Sequence, residues 1–106
     1  MNRIRRLMEE QRPYLNSELK LSDVATALGT HRNAISSSIN VCVGCSFTQF
    51  VNTYRINHAK KLMRSQPNIK MSEIWAASGF ANESSFFRTF KAMTGMTPSD
   101  WKQKSD

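Results

Sequence analysis

The chain is poor in the residues that mark several structural classes. It has two cysteines, three prolines and four glycines in 106 residues. Two cysteines cannot make a disulfide scaffold. Cys42 and Cys45 do form a C-x-x-C, but a redox motif needs that pair at the start of a helix after a strand. Here it spans the end of a helical stretch and Gly44. A zinc site needs two more ligands, and His31 and His58 are not spaced to join. Cys42 therefore reads as a small core residue and Cys45 as a loop residue. No apolar run approaches the ~18 residues of a membrane span. The first eight residues, Met1-Asn-Arg-Ile-Arg-Arg-Leu-Met8, lack the apolar stretch of a signal peptide. The expectation is a cytoplasmic segment without membrane contact, although a longer parent could be membrane-anchored. No nucleophile–base set, phosphate loop or metal cluster stands out, so no enzyme activity, cofactor or metal is expected. Acid is scarce as well. Eight acidic residues face fifteen Lys and Arg, giving a net charge of +7. That balance favours a polyanion, nucleic acid first and an anionic membrane surface second. RNA is disfavoured because no stacking platform of aromatics is evident.

What is present is a repeat. Leu21-Ser-Asp-Val-Ala-Thr-Ala-Leu-Gly29 returns as Met71-Ser-Glu-Ile-Trp-Ala-Ala-Ser-Gly79. Gly44-Cys-Ser-Phe-Thr-Gln-Phe50 returns as Gly95-Met-Thr-Pro-Ser-Asp-Trp101. Each copy holds a short helix, a glycine turn and a second helix, the sequence appearance of a helix-turn-helix unit.

No strand alternation occurs, and the chain reads as all-α with about seven helices. A first helix is expected over Ile4–Tyr14, with its end blurred by Pro13. Ser22 caps the second, which Gly29 stops. The third opens at Thr30 or His31 and runs to about Val43. Ser46-Phe-Thr-Gln49 is a capping box that starts a long helix. Phe47, Phe50, Val51, Tyr54, His58, Ala59, Leu62 and Met63 give it an apolar stripe, and Pro67 ends it. Ser72 and Asn82 cap the next two. Thr97-Pro-Ser-Asp100 opens a short final helix anchored by Trp101. Unit one then spans about 15–45, the linker helix 46–66 and unit two 70–104, within one domain of 1–106.

The third and sixth helices align. Ile35, Ile39 and Cys42 match Phe86, Phe90 and Met93, a spacing that puts each trio on one face, the core face. The opposite faces carry Asn33, Ser36, Ser37 and Asn40 in the first copy, and Ser84, Phe87, Arg88 and Lys91 in the second. Arg32 and Glu83 flank them. Arg suits guanine O6 and N7, Asn suits adenine N6 and N7, and Ser permits close approach. Phe87 could touch a thymine methyl or cover its neighbouring helix. Glu83 could accept from cytosine N4 or repel wrong sequences and favour the helix start. Arg55, beside the apolar stripe, could pair internally or reach a phosphate. Lys60, Lys61 and Arg64 read as solubilising charge, and Arg3, Arg5 and Arg6 as a basic terminus. The other class of function is a helical protein-interaction module presenting Phe87, Val41 and Val43.

The chain resembles the DNA-binding domain of AraC/XylS-type transcription regulators. Arg55-Ile-Asn-His-Ala59-Lys-Lys-Leu62-Met63 is similar to that family's linker helix. Ile74, Gly79-Phe80, Ser85-Phe86, Arg88-Thr-Phe90-Lys91 and Gly95-Met-Thr-Pro98 are similar to its second-unit signature. The resemblance implies two helix-turn-helix units joined by a long helix, set in adjacent major grooves of double-stranded DNA. It places base-reading positions at Asn33, Ser36, Ser37, Glu83, Ser84 and Arg88. Trp75 stands where the family usually has Ala, and Val41, Cys42 and Val43 where charge is common. Most members carry a sensing or dimerising domain in front, so oligomerisation is expected through such an N-terminal region. Activation would require contact with RNA polymerase.

Overall fold

Pro13 sets the first boundary. In the computed structural model, which describes residues 1–104, α1 runs Asn2–Gln11 and buries Ile4, Leu7 and Met8. The expected extension to Tyr14 does not form, because a residue before proline is driven out of the right-handed helical region. Arg12 turns left-handed, at φ 52 and ψ 49, and its N–H closes the helix on the Met8 carbonyl. Pro13–Leu15 then makes one 3-10 turn that buries Tyr14.

Six further helices follow: α2 Leu21–Ala27, α3 Arg32–Cys42, α4 Phe47–Ser65, α5 Met71–Ala77, α6 Glu83–Thr94 and α7 Pro98–Lys104. Among the described residues there is no strand. Several starts follow from local side-chain bonds. Ser46 Oγ accepts from Gln49 N–H at 3.2 Å, and Gln49 Oε1 accepts from Ser46 N–H at 3.0 Å. Asn82 Oδ1 accepts from Ser85 N–H at 2.8 Å, and Thr97 Oγ1 from Asp100 N–H at 3.2 Å. Ser22 and Ser72 do not cap. The N-caps there are Lys20 and Lys70. Asp23 explains the shift in the first case, since its carboxylate accepts from Lys20 N–H at 2.9 Å and draws that residue to the helix start.

Two cores share α4. Phe50 and Val51 join Ile4, Leu7, Met8, Tyr14, Val24, Ile35 and Ile39. Ile56, Ala59 and Met63 join Ile74, Phe80, Phe86 and Phe90. The sequence suggested one apolar stripe. Steps of about 100° per residue instead place the two sets on opposite sides of the helix. Phe86 and Phe90 are fully buried, each contributing roughly 1.5–3 kcal/mol. Trp101 closes the second core, edge-on to Phe90 at 5.8 Å, with the Arg64 guanidinium 5.0 Å from its ring.

Cys42 is not a core residue. It is exposed, and its repeat partner Met93 is 40% exposed. Helical period assigns a side, but in both copies the core ends one turn earlier, at Ile39 and Phe90.

Arg55 joins the two halves. Its Nε donates to the Tyr14 carbonyl at 2.7 Å, and its Nη2 to the Asn16 carbonyl at 2.9 Å. Gly79, at φ +89, lies against the same Tyr14 carbonyl, and a Cβ there would meet that oxygen and, at 2.9 Å, the Leu15 Cα. Its repeat partner Gly29, at φ +65, has nothing within 4 Å of such a Cβ. Alanine at either site incurs about 1–2 kcal/mol for left-handed backbone. Gly79→Ala adds overpacking, roughly 1–3 kcal/mol more. Urea unfolding of the two single variants tests this, and equal losses would contradict the contact.

Candidate nucleic-acid interface

Each unit turns from a short helix into a longer one through a left-handed glycine. The turn is locked the same way twice. Thr30 N–H donates to the Ala25 carbonyl at 2.9 Å, and Phe80 N–H to the Trp75 carbonyl at 3.0 Å. With Ile35 and Ile39 inward in α3, and Phe86 and Phe90 inward in α6, the opposite faces turn to solvent.

Arg32, Asn33, Ser37 and Asn40 are exposed on α3, and Ser36 is half-buried. Glu83, Ser84, Arg88 and Lys91 are exposed on α6. Among the described residues, none of these nine side chains makes a hydrogen bond or ion pair within the chain. Binding a partner through them breaks no internal bond. Phe87 is half-buried and packs edge-on to Phe86 at 5.9 Å. It covers its neighbour while part of the ring stays accessible. The α6 start carries its Asn82 cap, whereas His31 at the α3 start has no side-chain cap bond.

The basic residues elsewhere divide by what they touch. Arg55 is internally paired, a choice the sequence left open. Burial lowers its pKa from the ordinary arginine value. Arg3 donates to the Leu28 carbonyl at 2.8 Å. Lys60 and Arg64 lie over Trp101. Val41, 81% exposed, and Val43, 42% exposed, project from the end of α3. Among the described residues no group of three His, Cys, Asp or Glu side chains is placed to hold a metal. No single described helix is long and apolar enough to cross a membrane.

One pairing had no sequence signal beyond a polar residue at an apolar repeat position. Ser78 occupies the place of Leu28, is fully buried, and lies 3.0 Å through Oγ from His58 Nδ1.

Two glycine-turned helix pairs with unbonded polar faces define a protein of the helix-turn-helix class. A family model for the helix-turn-helix domain matches residues 24–104. The chain belongs to the AraC-type helix-turn-helix family, the DNA-binding domains of transcription regulators. It is 31% identical over 88 residues to YtdP of Bacillus subtilis, described as an uncharacterised helix-turn-helix-type transcriptional regulator; the match covers 83% of this chain and 11% of that protein. A Staphylococcus aureus protein of the same description is 32% identical over 89 residues, covering 84% of this chain and 12% of its own length. The C-terminal domain of AraT, a response regulator of Geobacillus stearothermophilus, superposes with a TM-score of 0.83 at 25% identity, over 95% of this chain and 84% of that one. The C-terminal domain of the response regulator yesN of Fusobacterium nucleatum gives 0.82 at 25% identity, over 95% of each chain. The chain thus spans about an eighth of the relatives it matches by sequence.

Burial lowers the pKa of His58, and the charges of Arg12 and Lys61 lower it further. The unfolded chain, with an ordinary value near ~6.5, therefore takes up the proton first. The stabilisation is present above that value and is lost as pH falls below it. The thermal midpoint should drop as pH falls through and below the ordinary histidine value of ~6.5, and His58→Asn should flatten that drop. An identical slope in the variant would remove His58 from the account.

Proposed function

We propose that the chain reads a specific double-stranded DNA sequence by setting α3 and α6 into successive major grooves on one face of the duplex. The observation that carries this is the pair of unbonded polar faces on one body 42 Å long, comparable to the ~34 Å between successive major grooves. If the two helices stand closer than that, the DNA bends toward the protein.

In this reading Arg88 takes a guanine edge, and Asn33 or Asn40 an adenine edge. Ser36, Ser37 and Ser84 allow close approach. Arg32 and Lys91 hold phosphates and fix register. Glu83 selects against wrong bases, and the open part of Phe87 meets a thymine methyl. Unit two supplies more of the salt-dependent affinity, since its face bears Arg88 and Lys91. DNA binding of this kind regulates transcription, and activation adds a contact with RNA polymerase. The rival, a protein-interaction module built on Val41 and Val43, predicts no salt-sensitive DNA binding.

Selection from a random duplex pool should return one motif split across two grooves. Arg88→Ala should weaken that site by about 1–3 kcal/mol and relax one base position. Lys91→Ala should weaken all sequences alike and reduce the salt slope by about 1. Unchanged affinity and unchanged preference in Arg88→Ala would remove it from the reading face.

A further inference from the structure

A recess of about 540 Å³ opens between the end of α1 and the C-terminal half of α4, and none of its lining residues belongs to α3 or α6. Arg12, His58, Lys60, Lys61 and Arg64 line it, against one acid, Glu9. Among the described residues Arg12 and Lys61 make no ion pair or side-chain hydrogen bond. Neutral balance is thus absent where the wall is concave, and a concave wall concentrates the field of the charges that line it.

Arg12 adds a second observation. Among the described residues it is the one non-glycine at positive φ. The α1 stop and Pro13 explain the conformation, but such a stop favours Gly or Asn. Nothing in the cap explains a long cationic side chain. Strain held at a particular side chain points to what that side chain does. The recess is also fixed in shape. Its wall includes Tyr14, whose carbonyl Arg55 holds and whose ring stacks on Tyr54 at 5.4 Å.

We propose that this recess is an anion site for phosphate groups, supplied either by successive phosphodiesters of the DNA backbone outside the reading faces or by a free phosphorylated ligand. Among the described residues that line it, Arg12 and Lys61 are the two cations with no other partner, and Arg64 and Lys60 form the rim while resting on Trp101. His58 reports occupancy. The groups facing it are Arg12 and Glu9 from the α1 end, Tyr14 from the 3-10 turn, Tyr54 and Lys61 from its own helix, and Ser78 from the second unit. An anion among them raises its pKa from the lowered value.

The test uses the chain as it is, with inorganic tripolyphosphate as probe. The recess variant is Arg12→Asn with Lys61→Gln, since Asn tolerates the left-handed backbone. Should it fold poorly, Arg12→Gly with Lys61→Gln keeps that backbone at no steric cost. The control, of equal charge change, is Lys102→Gln with Lys104→Gln in α7, outside both the recess and the reading faces. Calorimetry at low salt should show saturable binding, weakened about tenfold or more in the recess variant and unchanged in the control. The His58 ring pKa, followed by NMR, should rise on binding in the parent chain. The DNA arm compares salt slopes. A slope shallower by about 2 in the recess variant assigns the phosphate to the DNA backbone. Selective loss of tripolyphosphate with an unchanged slope assigns it to a free ligand. If the slope is unchanged and the recess variant loses no more tripolyphosphate affinity than the control, the recess is solvated charge and the proposal is wrong.

Discussion

The Arg55 guanidinium is the point on which the relation between the two units depends. It bonds the Tyr14 and Asn16 carbonyls from the middle of α4, and Gly79 of unit two rests on that same Tyr14 carbonyl. Three parts far apart in sequence thus meet at one backbone oxygen. Arginine suits the place because its fork serves two acceptors at once and stays charged even when burial lowers its pKa. Glycine suits the other side because any Cβ would strike the 3-10 turn. Without this junction each unit would keep its own helices, but the angle between the reading faces would rest on α4 alone.

The junction matters because neither half is large enough to stand securely. A chain of this size buries a modest core, and here that core is split in two. α4 resolves the difficulty by being apolar on opposite sides at different heights. Phe50 and Val51 serve one unit, and Ile56, Ala59 and Met63 serve the other. Between them Arg55 points inward at the junction on one side of α4, while Asn57 and Lys61 line the recess from the other. The helix is therefore a wall of both cores and a carrier of charge.

What could be seen in the sequence was what local chemistry decides. The Ser46, Asn82 and Thr97 caps lie within three residues of the backbone they satisfy, and the repeat exposed both reading faces by fixing the opposite side. Errors arose where tertiary context decides. Cys42 shares a side with Ile35 and Ile39, but period cannot say whether anything covers the last turn. Ser22 is a good cap residue, yet Asp23 one position on recruits Lys20 instead. The two choices for Arg55 differ only in what lies opposite it, which is chain from 39 and 41 positions away. Phe87 had two readings because a half-buried ring serves both.

The repeat also shows that one local architecture can be held in place by unlike means. Leu28 and Ser78 occupy equivalent positions before the turn glycines. In unit one the Leu28 side chain is half-buried and its carbonyl accepts from Arg3 of α1. In unit two the side chain itself is the anchor, as Ser78 Oγ pairs with His58 of α4. The first turn is thus tied to the N-terminal helix and the second to the linker helix. The two faces differ in surface chemistry, and the turns behind them are anchored to different parts of the chain.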